Sequence, residues 1–583
     1  MNAANEETLP PDLLRKIAQA RDMQARPHAR RFTNPDTFAA AFYGQSQARP
    51  DQTFMIYYGE DGKKQELRRE HTYGAFYTEV RRIAWVLGTR LGLRRGERIV
   101  TAMHNHDRTI QIAFAAWHLG LTVVPLNMGE DDKRLRYVLE HSHARALVAL
   151  DDYAPRMAKL SAGIAALEHR YTVFADVDGF DRAGFKRLED ELAAAKISAA
   201  DLGTKPEEPR GDDEALIVYT SGTTGAPKGV VLTQYNLLAD AHSITDWHDL
   251  TPGKRMMCVL PIHHVNGLIV THVTPAFYGG SVVLNRKFST SQFFSRIAQE
   301  QVHVVSVVPT LLQFLWEGAR EGFRREKVPT LSHIICGAGP LTVDLGTRFE
   351  DAFDVPVCHG YGLSETTCYS CFLPIPSRTK PETHRGWMRD HGYPSIGIPV
   401  ATNDMEIQDD AGQALPAGQK GEIVIRGHNV TTGYANNRAA NENAFTHGWF
   451  RSGDEGFWMP GADGRPHFFI SGRFKELIIR GGVKISPLEV DEVINTVPGL
   501  KAGMAVGFEN TVFGEEVGCY AVKLPGSNVS AEDVLQHCRT KLAPHAAPKV
   551  VVFGETFPVT STGKYQRNQL KPLFAAWKEA QFK

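Results

Sequence analysis

YTSGTTGAPKG, at residues 219–229, is a run of hydroxyl side chains and glycines that closes with a lysine and a glycine. Glycine lets backbone N–H groups approach phosphate oxygens, hydroxyl groups add hydrogen-bond donors, and lysine adds positive charge. The run is not a Walker A loop, because its lysine precedes the last glycine instead of following it. It predicts a loop that wraps a polyphosphate. The residues expected to contact phosphate are Thr220, Ser221, Gly222, Thr223, Thr224, Gly225 and Lys228.

The segments around this loop have regular patterns. Residues 215–218 (ALIV) have strand character, and residues 230–242 (VVLTQYNLLADAH) have a helical pattern, so the loop is expected to lie between ordered elements. From Phe32 onward, strand-like and amphipathic helical segments alternate, which predicts an α/β fold with parallel strands. Residues 1–30 form a charged extension with a helical pattern in PDLLRKIAQARDM, and residues 176–214 are interpreted as a solvated connector.

Composition limits the classes of function. A chain of 583 residues is long enough for a large domain and at least one smaller one. Its 65 basic and 66 acidic residues give a net charge of −1, so no global charge attracts nucleic acid or an anionic membrane. Seven scattered cysteines argue against a disulfide framework, and the polar N-terminus lacks the regions of a signal peptide. We expect a cytoplasmic protein with small-molecule partners and no stable membrane insertion.

Several further motifs follow the loop. They are HVNG (264–267), GAGP (337–340), CHGYGLSETT (358–367), SGD (452–454), SGRFKELIIRGGVKI (471–485) and PVTSTGKYQRNQL (558–570). Each motif alone is weak evidence, since Gly-rich segments are usually turns and charged residues usually lie on the surface. Together, and in this order, they resemble the adenylate-forming superfamily of acyl-CoA synthetases, peptide-synthetase adenylation domains and luciferases. Stand-alone acid–CoA ligases are the most similar branch.

This resemblance implies roles in nucleotide binding. Tyr361 would face the purine, and Asp454 would accept hydrogen bonds from both ribose hydroxyls, since a carboxylate only accepts and a cis diol offers two donors. Glu365, with the hydroxyl of Thr220, would hold the magnesium of MgATP, which prefers hard oxygen ligands. The other residues implied to contact the nucleotide are Gly337, Ala338, Gly360, Gly362, Ser364 and Arg473. Ser364 and Ser452 stand where the family usually has threonine.

The resemblance also implies catalytic roles. His264, in HVNG, would border the acyl and adenylate site, whereas His263 is interpreted as a satisfied core residue. Lys564 would be the lysine of adenylation, and Lys475 the pivot between two domains. Gly481 and Gly482 would form the turn beside the pantetheine tunnel. In one family branch a lysine that assists thioester formation stands where this chain has Ile479, so that role is not assigned, and the role of Lys484 stays open.

The predicted architecture is a large N-terminal domain of mixed and parallel sheets flanked by helices, with a small mobile C-terminal α+β domain. We place an N-terminal extension at residues 1–30, the large AMP-binding domain at 31–474 and the small domain at 475–583. The predicted activity uses ATP, Mg²⁺ and coenzyme A to join a carboxylic acid to CoA through an acyl-adenylate. The alternatives are an adenylation enzyme that loads a carrier-protein thiol and a non-catalytic nucleotide-binding protein.

The acid itself is not identified by the sequence. The CHG before Tyr361, His264 and the basic segment 377–392 favour a small or polar carboxylate over a long fatty chain. The basic segment is interpreted as a solvated loop, with a basic lip that meets an anionic part of the substrate or of CoA as the alternative. The sequence does not determine the oligomeric state, and a homodimer is one arrangement consistent with it.

Overall fold

Two large sheets and two smaller ones organise the chain in a computed structural model of the protein. The structure describes residues 9–22, 32–195, 197, 208–220, 226–560 and 565–582. These residues form sheets of nine, eight, four and five strands. The strands of the five-stranded sheet all lie between residues 478 and 554, whereas those of the other three sheets end at Arg473. The predicted fold class, with a large N-terminal and a small C-terminal domain, is confirmed.

The nine-stranded sheet has a parallel centre. In spatial order its strands are Ile398–Pro399, Cys371–Phe372, Val357–Tyr361, His333–Cys336, Val304–Val307, Arg255–Cys258, Ser281–Asn285, Thr53–Glu60 and Glu66–Thr72. The strands from Val357–Tyr361 to Thr53–Glu60 pair in parallel, and the strands outside them pair antiparallel. Because helices cover both faces, these central strands are buried and mostly apolar, as in VVSV at Val304–Val307.

The other sheets complete the framework. The eight-stranded sheet runs Gly433–Tyr434, Lys228–Thr233, Glu214–Thr220, Thr122–Pro125, Arg98–Ala102, Ala146–Leu150, His169–Val173 and Lys186–Arg187. The four-stranded sheet contains Asn403–Gln408, Gly421–Gly427, Phe450–Pro460 and Pro466–Arg473. The five-stranded sheet contains Val483–Ile485, Ile478–Arg480, Gly514–Lys523, Leu500–Asn510 and Val550–Gly554.

Helices fill the faces of these sheets. The α-helices of the described residues are Pro11–Ala20, Phe38–Ala48, Tyr73–Trp85, Asp107–His118, Asp132–His141, Ala154–Ser161, Leu188–Ala194, Gln234–Trp247, Thr274–Tyr278, Thr290–Gln299, Pro309–Gly318, Val343–Phe353, Pro381–Arg389, Arg438–Ala444, Pro487–Ile494 and Ala531–Lys541. Several begin at an N-cap hydroxyl, as where Thr233 and Asn236 form a capping box at the start of Gln234–Trp247. No helix of the described residues is long and apolar enough to cross a membrane.

Local predictions met different outcomes. The N-terminal helical pattern is a helix, Pro11–Ala20, with Leu13 and Ile17 buried. The helical pattern assigned to residues 230–242 is wrong over its first four residues. They belong to the strand Lys228–Thr233, which pairs with Glu214–Thr220, so strand pairing overrides the local pattern there.

Two segments read as irregular are partly ordered. The basic segment 377–392 contains the helix Pro381–Arg389, which forms because His384 and Met388 are buried on one face. The connector 176–214 contains the helix Leu188–Ala194, and Asp176 is buried and pairs with Arg69 at 2.6 Å. Both segments are therefore more ordered than predicted over these helices, although most side chains of residues 377–392 are exposed or half-buried.

Candidate active site

The phosphate loop joins two paired strands of the eight-stranded sheet. Thr220 ends the strand Glu214–Thr220 and lies opposite Lys228, the first residue of the next strand. The Thr220 hydroxyl points toward the carbonyl of Lys228, at 3.5 Å. The predicted phosphate-binding residues Ser221, Gly222, Thr223, Thr224 and Gly225 lie outside the described residues. The two ends of the loop are thus fixed by the sheet.

Lys228 and Glu365 meet through a tyrosine. The Lys228 Nζ lies 4.7 Å from the centroid of the Tyr434 ring, and the Tyr434 hydroxyl donates to Glu365 Oε1 at 2.8 Å. Burial and the nearby charge of Lys475 lower the pKa of Lys228, while the charge of Glu365 opposes this shift. Two predicted lysines and the predicted magnesium ligand therefore lie in one cluster. Sequence reasoning missed Tyr434, and the only signal was the TTGY run between a strand and a helix.

The turn that carries Glu365 is tightly constrained. A Cβ at Gly362 would lie 1.9 Å from the carbonyl oxygen of Cys368, so only glycine fits there. Thr367 has a φ of +64°, which is rare for a β-branched residue, and its hydroxyl donates to the carbonyl of Asn429 at 2.7 Å. The backbone N–H of Thr431 donates to the carbonyl of Glu365 at 2.8 Å. These contacts set the position of the Glu365 carboxylate.

Asp454 is held by three neighbours at the end of the four-stranded sheet. Tyr361 donates its hydroxyl to Asp454 Oδ2 at 2.7 Å, and Arg473 Nε lies 2.8 Å from Oδ1. The N–H of Asp454 donates to the hydroxyl of Ser452 at 3.0 Å, which in turn donates to the carbonyl of Ile423 at 2.6 Å. The charge of Asp454 raises the pKa of Arg473. A carboxylate only accepts hydrogen bonds, so Asp454 is the acceptor toward Tyr361 and Arg473.

The GAGP and HVNG segments follow two parallel strands, His333–Cys336 and Arg255–Cys258, that flank Val304–Val307 in the nine-stranded sheet, and they meet at Tyr369. A Cβ at Gly337 would lie 2.5 Å from the Tyr369 hydroxyl oxygen, so a side chain at this position would displace the tyrosine. Asn266 Nδ2 donates to the same oxygen at 3.1 Å. Ala338 has a φ of +62°, which turns the chain sharply after the strand. The Tyr369 ring therefore ties the predicted adenine segment to the predicted acyl segment.

His263 and His264 lie side by side, with ring centroids 4.4 Å apart. Burial lowers the pKa of His263 to about 4, so the ring is neutral. Its Nε2 is buried and has no hydrogen-bond partner among the described residues. The interpretation of His263 as a satisfied core residue is therefore wrong at Nε2. Asn266, two residues beyond His264, accepts a hydrogen bond from the Ser306 hydroxyl at 2.7 Å.

The predicted hinge follows the nucleotide cluster directly. Arg473 ends the strand Pro466–Arg473, and the next residue, Phe474, donates its N–H to the carbonyl of Gly453 at 3.1 Å. Lys475 is exposed, yet its charge acts on Lys228. Gly481 and Gly482 form an exposed turn with φ values of +56° and +84°. Lys564 lies outside the described residues.

The predicted site residues thus form a connected group. Lys228, Glu365, Tyr361, Asp454 and Arg473 come from separate parts of the chain, and the charges of Asp454 and Glu365 both act on Arg473. Glu365 Oε2 has no hydrogen-bond partner among the described residues and is a hard oxygen donor of the kind Mg²⁺ prefers. The part of the chain that the structure describes contains no cluster of three or more His, Cys, Asp or Glu side chains that could hold a metal ion.

Comparison with known proteins adds independent evidence. Residues 42–435 match the model of the AMP-binding enzyme family, and residues 489–564 match that of the AMP-binding enzyme C-terminal domain. The chain is 32% identical over 541 residues to a sulfoacetate–CoA ligase of Cupriavidus necator, covering 92% of this chain and 97% of the relative. It is 31% identical over 499 residues to an oxalate–CoA ligase of Arabidopsis thaliana, covering 85% and 92%.

Solved structures agree. ATP-bound MatB from Rhodopseudomonas palustris has a TM-score of 0.78 at 25% identity, covering 92% of this chain and 99% of the other. The apo form of the same protein has a TM-score of 0.70 at 25% identity, covering 93% and 100%. The chain therefore belongs to the AMP-binding enzyme family, in the class of AMP-forming acid–CoA ligases.

Proposed function

We propose that this protein activates a small polar carboxylic acid in two steps at the cluster described above. The acid and ATP first give an acyl-adenylate and pyrophosphate, and CoA then takes the acyl group and releases AMP. The observation that carries this proposal is the convergence of Asp454, Arg473, Glu365 and Lys228, which brings together carboxylate acceptors and cations of the kinds that a ribose and phosphates would need. Asp454 would accept the ribose hydroxyls, while Lys228 and the loop from Thr220 would contact the phosphates.

The first step needs positive charge beside the phosphates. A carboxylate oxygen attacks the α-phosphorus, the bond to the bridging oxygen breaks, and pyrophosphate leaves with that electron pair. Lys228 and Lys564 would offset the negative charge that builds on the phosphorus oxygens. Glu365 and the Thr220 hydroxyl would hold magnesium, which neutralises phosphate charge when bound. His264 and the adenine segment at Gly337 and Ala338 would border the reacting groups.

The second step needs a different face of the small domain. The CoA thiol attacks the activated carbonyl, the bond from carbon to the phosphate oxygen breaks, and AMP leaves. We propose that residues 475–583 turn about Lys475, so that the Gly481–Gly482 turn replaces Lys564 at the site. Lys484 lies directly opposite Ile479 in the hairpin of Ile478–Arg480 and Val483–Ile485. Cross-strand partners share a face, so Lys484 would face the same side as Ile479.

A small polar acid is supported by two observations. The two sequence relatives cited above are named for sulfoacetate and oxalate, which are both short acids with a second anionic group. Beside His264, the side chains of Asn266, Ser306 and Tyr369 form a buried hydrogen-bonded group. Such a group occupies volume and presents polar atoms, which suits a short polar acid better than a long alkyl chain.

The test is pyrophosphate release with ATP and magnesium across fatty, aromatic, amino, dicarboxylic and sulfonated acids, with and without CoA. Release that requires a short dianionic acid, together with its CoA ester as product, is the expected result. Release without a CoA ester would favour a carrier-protein thiol as acceptor. Pyrophosphate release only with fatty or aromatic acids would overturn the proposed substrate class. If no acid in the panel supported release, the proposed activity would be overturned.

A further inference from the structure

The helix Pro487–Ile494 contacts the large domain through two glutamates on one face, three residues apart. Glu489 Oε2 lies 3.8 Å from Lys420 Nζ, and both side chains are exposed to solvent. Glu492 has a different partner. The backbone N–H of Val343 donates to both of its carboxyl oxygens, at 3.2 and 3.1 Å. Lys501 adds an ion pair to Glu317 of the large domain at 2.9 Å.

The Glu492 contact completes a helix end. The first N–H groups of an α-helix have no partner within the helix and need an outside acceptor. In the helix Val343–Phe353, the N-cap hydroxyl of Thr342 accepts from the N–H of Leu345 at 3.2 Å. The N–H of Val343 is satisfied by Glu492, from another part of the chain. This helix begins three residues after the predicted adenine segment, GAGP at 337–340.

No cation of the described residues pairs with Glu492. Its helix neighbour Asp491 takes Arg567 at 2.6 Å. Burial raises the pKa of Glu492 to about 8, the hydrogen bond from Val343 lowers it, and the charges of Asp491 and Asp344 raise it further. The charge of Glu492 also acts on Tyr393 of the large domain, whose side-chain hydrogen bond is to Glu489. While the helix contacts the large domain, the Glu492 carboxyl therefore holds its proton to a higher pH than an exposed glutamate does.

The arrangement in the structure is not the one proposed for thioester formation. The Gly481–Gly482 turn is exposed to solvent, whereas that step would bring it to the site. Lys475 lies near Lys228, and the overall structure has the higher TM-score to the ATP-bound form of MatB. The contact at Glu492 therefore belongs to the arrangement in which ATP would react.

We propose that Glu492 is a positioning residue that latches the small domain in the adenylation arrangement by capping the helix Val343–Phe353. This inference rests on the proposed two-step function. Undocking exposes the Val343 N–H and the Glu492 carboxyl to water, which returns the pKa of that carboxyl to its ordinary range. The latch also holds the start of the helix that follows the adenine segment, so docking and nucleotide binding are coupled.

The latch responds to pH in a defined direction. The docked carboxyl binds a proton more tightly than the undocked one, so docking is strongest at low pH. Docking weakens as pH rises from the ordinary glutamate pKa of 4.5 to about 8, the pKa of the docked carboxyl. Above that value both forms are ionised and docking no longer changes with pH. Release of the small domain for the second step is therefore easier in alkaline solution.

The experiment measures docking directly by energy transfer between two dyes on the full-length protein. All seven native cysteines are buried, so cysteines introduced as Glu326→Cys and Glu532→Cys, one exposed position in each domain, can be labelled selectively. Glu492→Gln and Glu492→Ala are compared in this background, with Glu489→Gln as the matched control on the same face of the helix. Pyrophosphate release and thioester formation from a synthetic acyl-adenylate are measured in parallel.

The expected results are specific to the carboxyl group. The wild-type docked fraction falls between about pH 5 and 8 and is constant above that range, whereas Glu492→Gln, which keeps an acceptor and cannot ionise, holds it constant throughout. Glu492→Ala lowers the docking equilibrium roughly three- to tenfold, as loss of one hydrogen bond predicts. It slows pyrophosphate release by a similar factor and leaves thioester formation unchanged. Glu489→Gln behaves like the wild type.

Three outcomes would overturn the latch. They are an unchanged docked fraction in Glu492→Ala, a wild-type pH response in Glu492→Gln, or an effect of Glu489→Gln equal to that of Glu492→Ala. Failure of the proposed function has a different signature. If none of the tested acids supports pyrophosphate release by the wild type, the proposed two-step reaction is wrong. The energy-transfer comparison would still decide whether Glu492 holds the domains together.

Discussion

The two edges of the nine-stranded sheet both carry histidines, and these differ in what surrounds them. At the edge where the parallel strands begin, His333 uses both ring nitrogens, with Nε2 2.8 Å from His248 and Nδ1 3.0 Å from the Ser332 hydroxyl. His384 does the same, with Nε2 2.9 Å from Glu350 and Nδ1 3.0 Å from the carbonyl of Pro374. At the edge where the strands end, the Nε2 of His263 is buried without a partner among the described residues.

This difference separates binding from support. Side chains at the carboxyl ends of parallel strands are placed to meet a ligand, and their polar groups need not all be satisfied by the protein. At the amino ends, His333 and His384 use both ring nitrogens to connect neighbouring elements, although the Nε2 of His248 is buried there without a partner among the described residues. Substitutions at the edge where the parallel strands end should therefore change activity more than stability. Substitutions at the edge where they begin should change stability more than activity.

The largest expected effect belongs to Lys564, which we propose approaches the carboxyl edge from the small domain. Lys564→Ala should lower the rate of acyl-adenylate formation by roughly two to three orders of magnitude, because charge on the reacting phosphate loses its stabilisation. Thioester formation from a supplied acyl-adenylate should be unchanged. Lys571→Ala, an exposed lysine 3.3 Å from Glu515, is the control. Loss of both half-reactions would contradict the division of labour.

Asp454→Asn should have the next largest effect. The amide keeps the size of the side chain but removes the charge that pairs with Arg473 and one acceptor for the ribose. We expect the KM for ATP to rise about tenfold, the cost of a weakened hydrogen bond to a charged group. Steady-state kinetics measure this, with Asp463→Asn in an exposed turn as the control. An unchanged KM would remove Asp454 from the nucleotide site.

At the opposite edge, His333→Phe should lower the free energy of unfolding by about 1 to 3 kcal/mol, since it leaves the buried Nδ1 of His248 unpaired. Activity per folded molecule should stay within about twofold of the wild type. Urea unfolding and kcat/KM check the two parts. If kcat/KM falls more than stability does, the two edges are not functionally distinct.

The smallest expected effect is the pH dependence of stability at His384. Burial lowers its pKa, but the hydrogen bond and charge of Glu350 raise it more, so the net shift is upward. The stabilisation is complete below the ordinary histidine pKa of 6.5 and is lost as pH rises through the raised value. His384→Gln should remove this slope from urea midpoints measured across neutral pH. A slope that persists in the variant would assign it to another group.

Much of the molecule could be predicted from short segments. The alternation of apolar runs predicted the α/β class, and the order of the glycine-rich motifs predicted the family. The glycines report local constraints, as at Gly362, where the chain comes too close to Cys368 for any side chain. Prediction failed where a distant segment overrides the local pattern. Residues 230–233 are a strand because Glu214–Thr220 pairs with them, and residues 381–389 are a helix because one face is buried.

The sequence by itself therefore determined the class of fold, the family and the residues expected to hold nucleotide, because periodicity and turn chemistry are written in neighbouring positions. The tertiary structure decided which side chains meet. Tyr434 bonds Glu365 from 69 positions away, Tyr361 bonds Asp454 from 93 positions away, and Glu492 caps a helix 149 positions before it. Such pairs leave no local pattern, because they depend on how separate elements pack and not on the residues beside them.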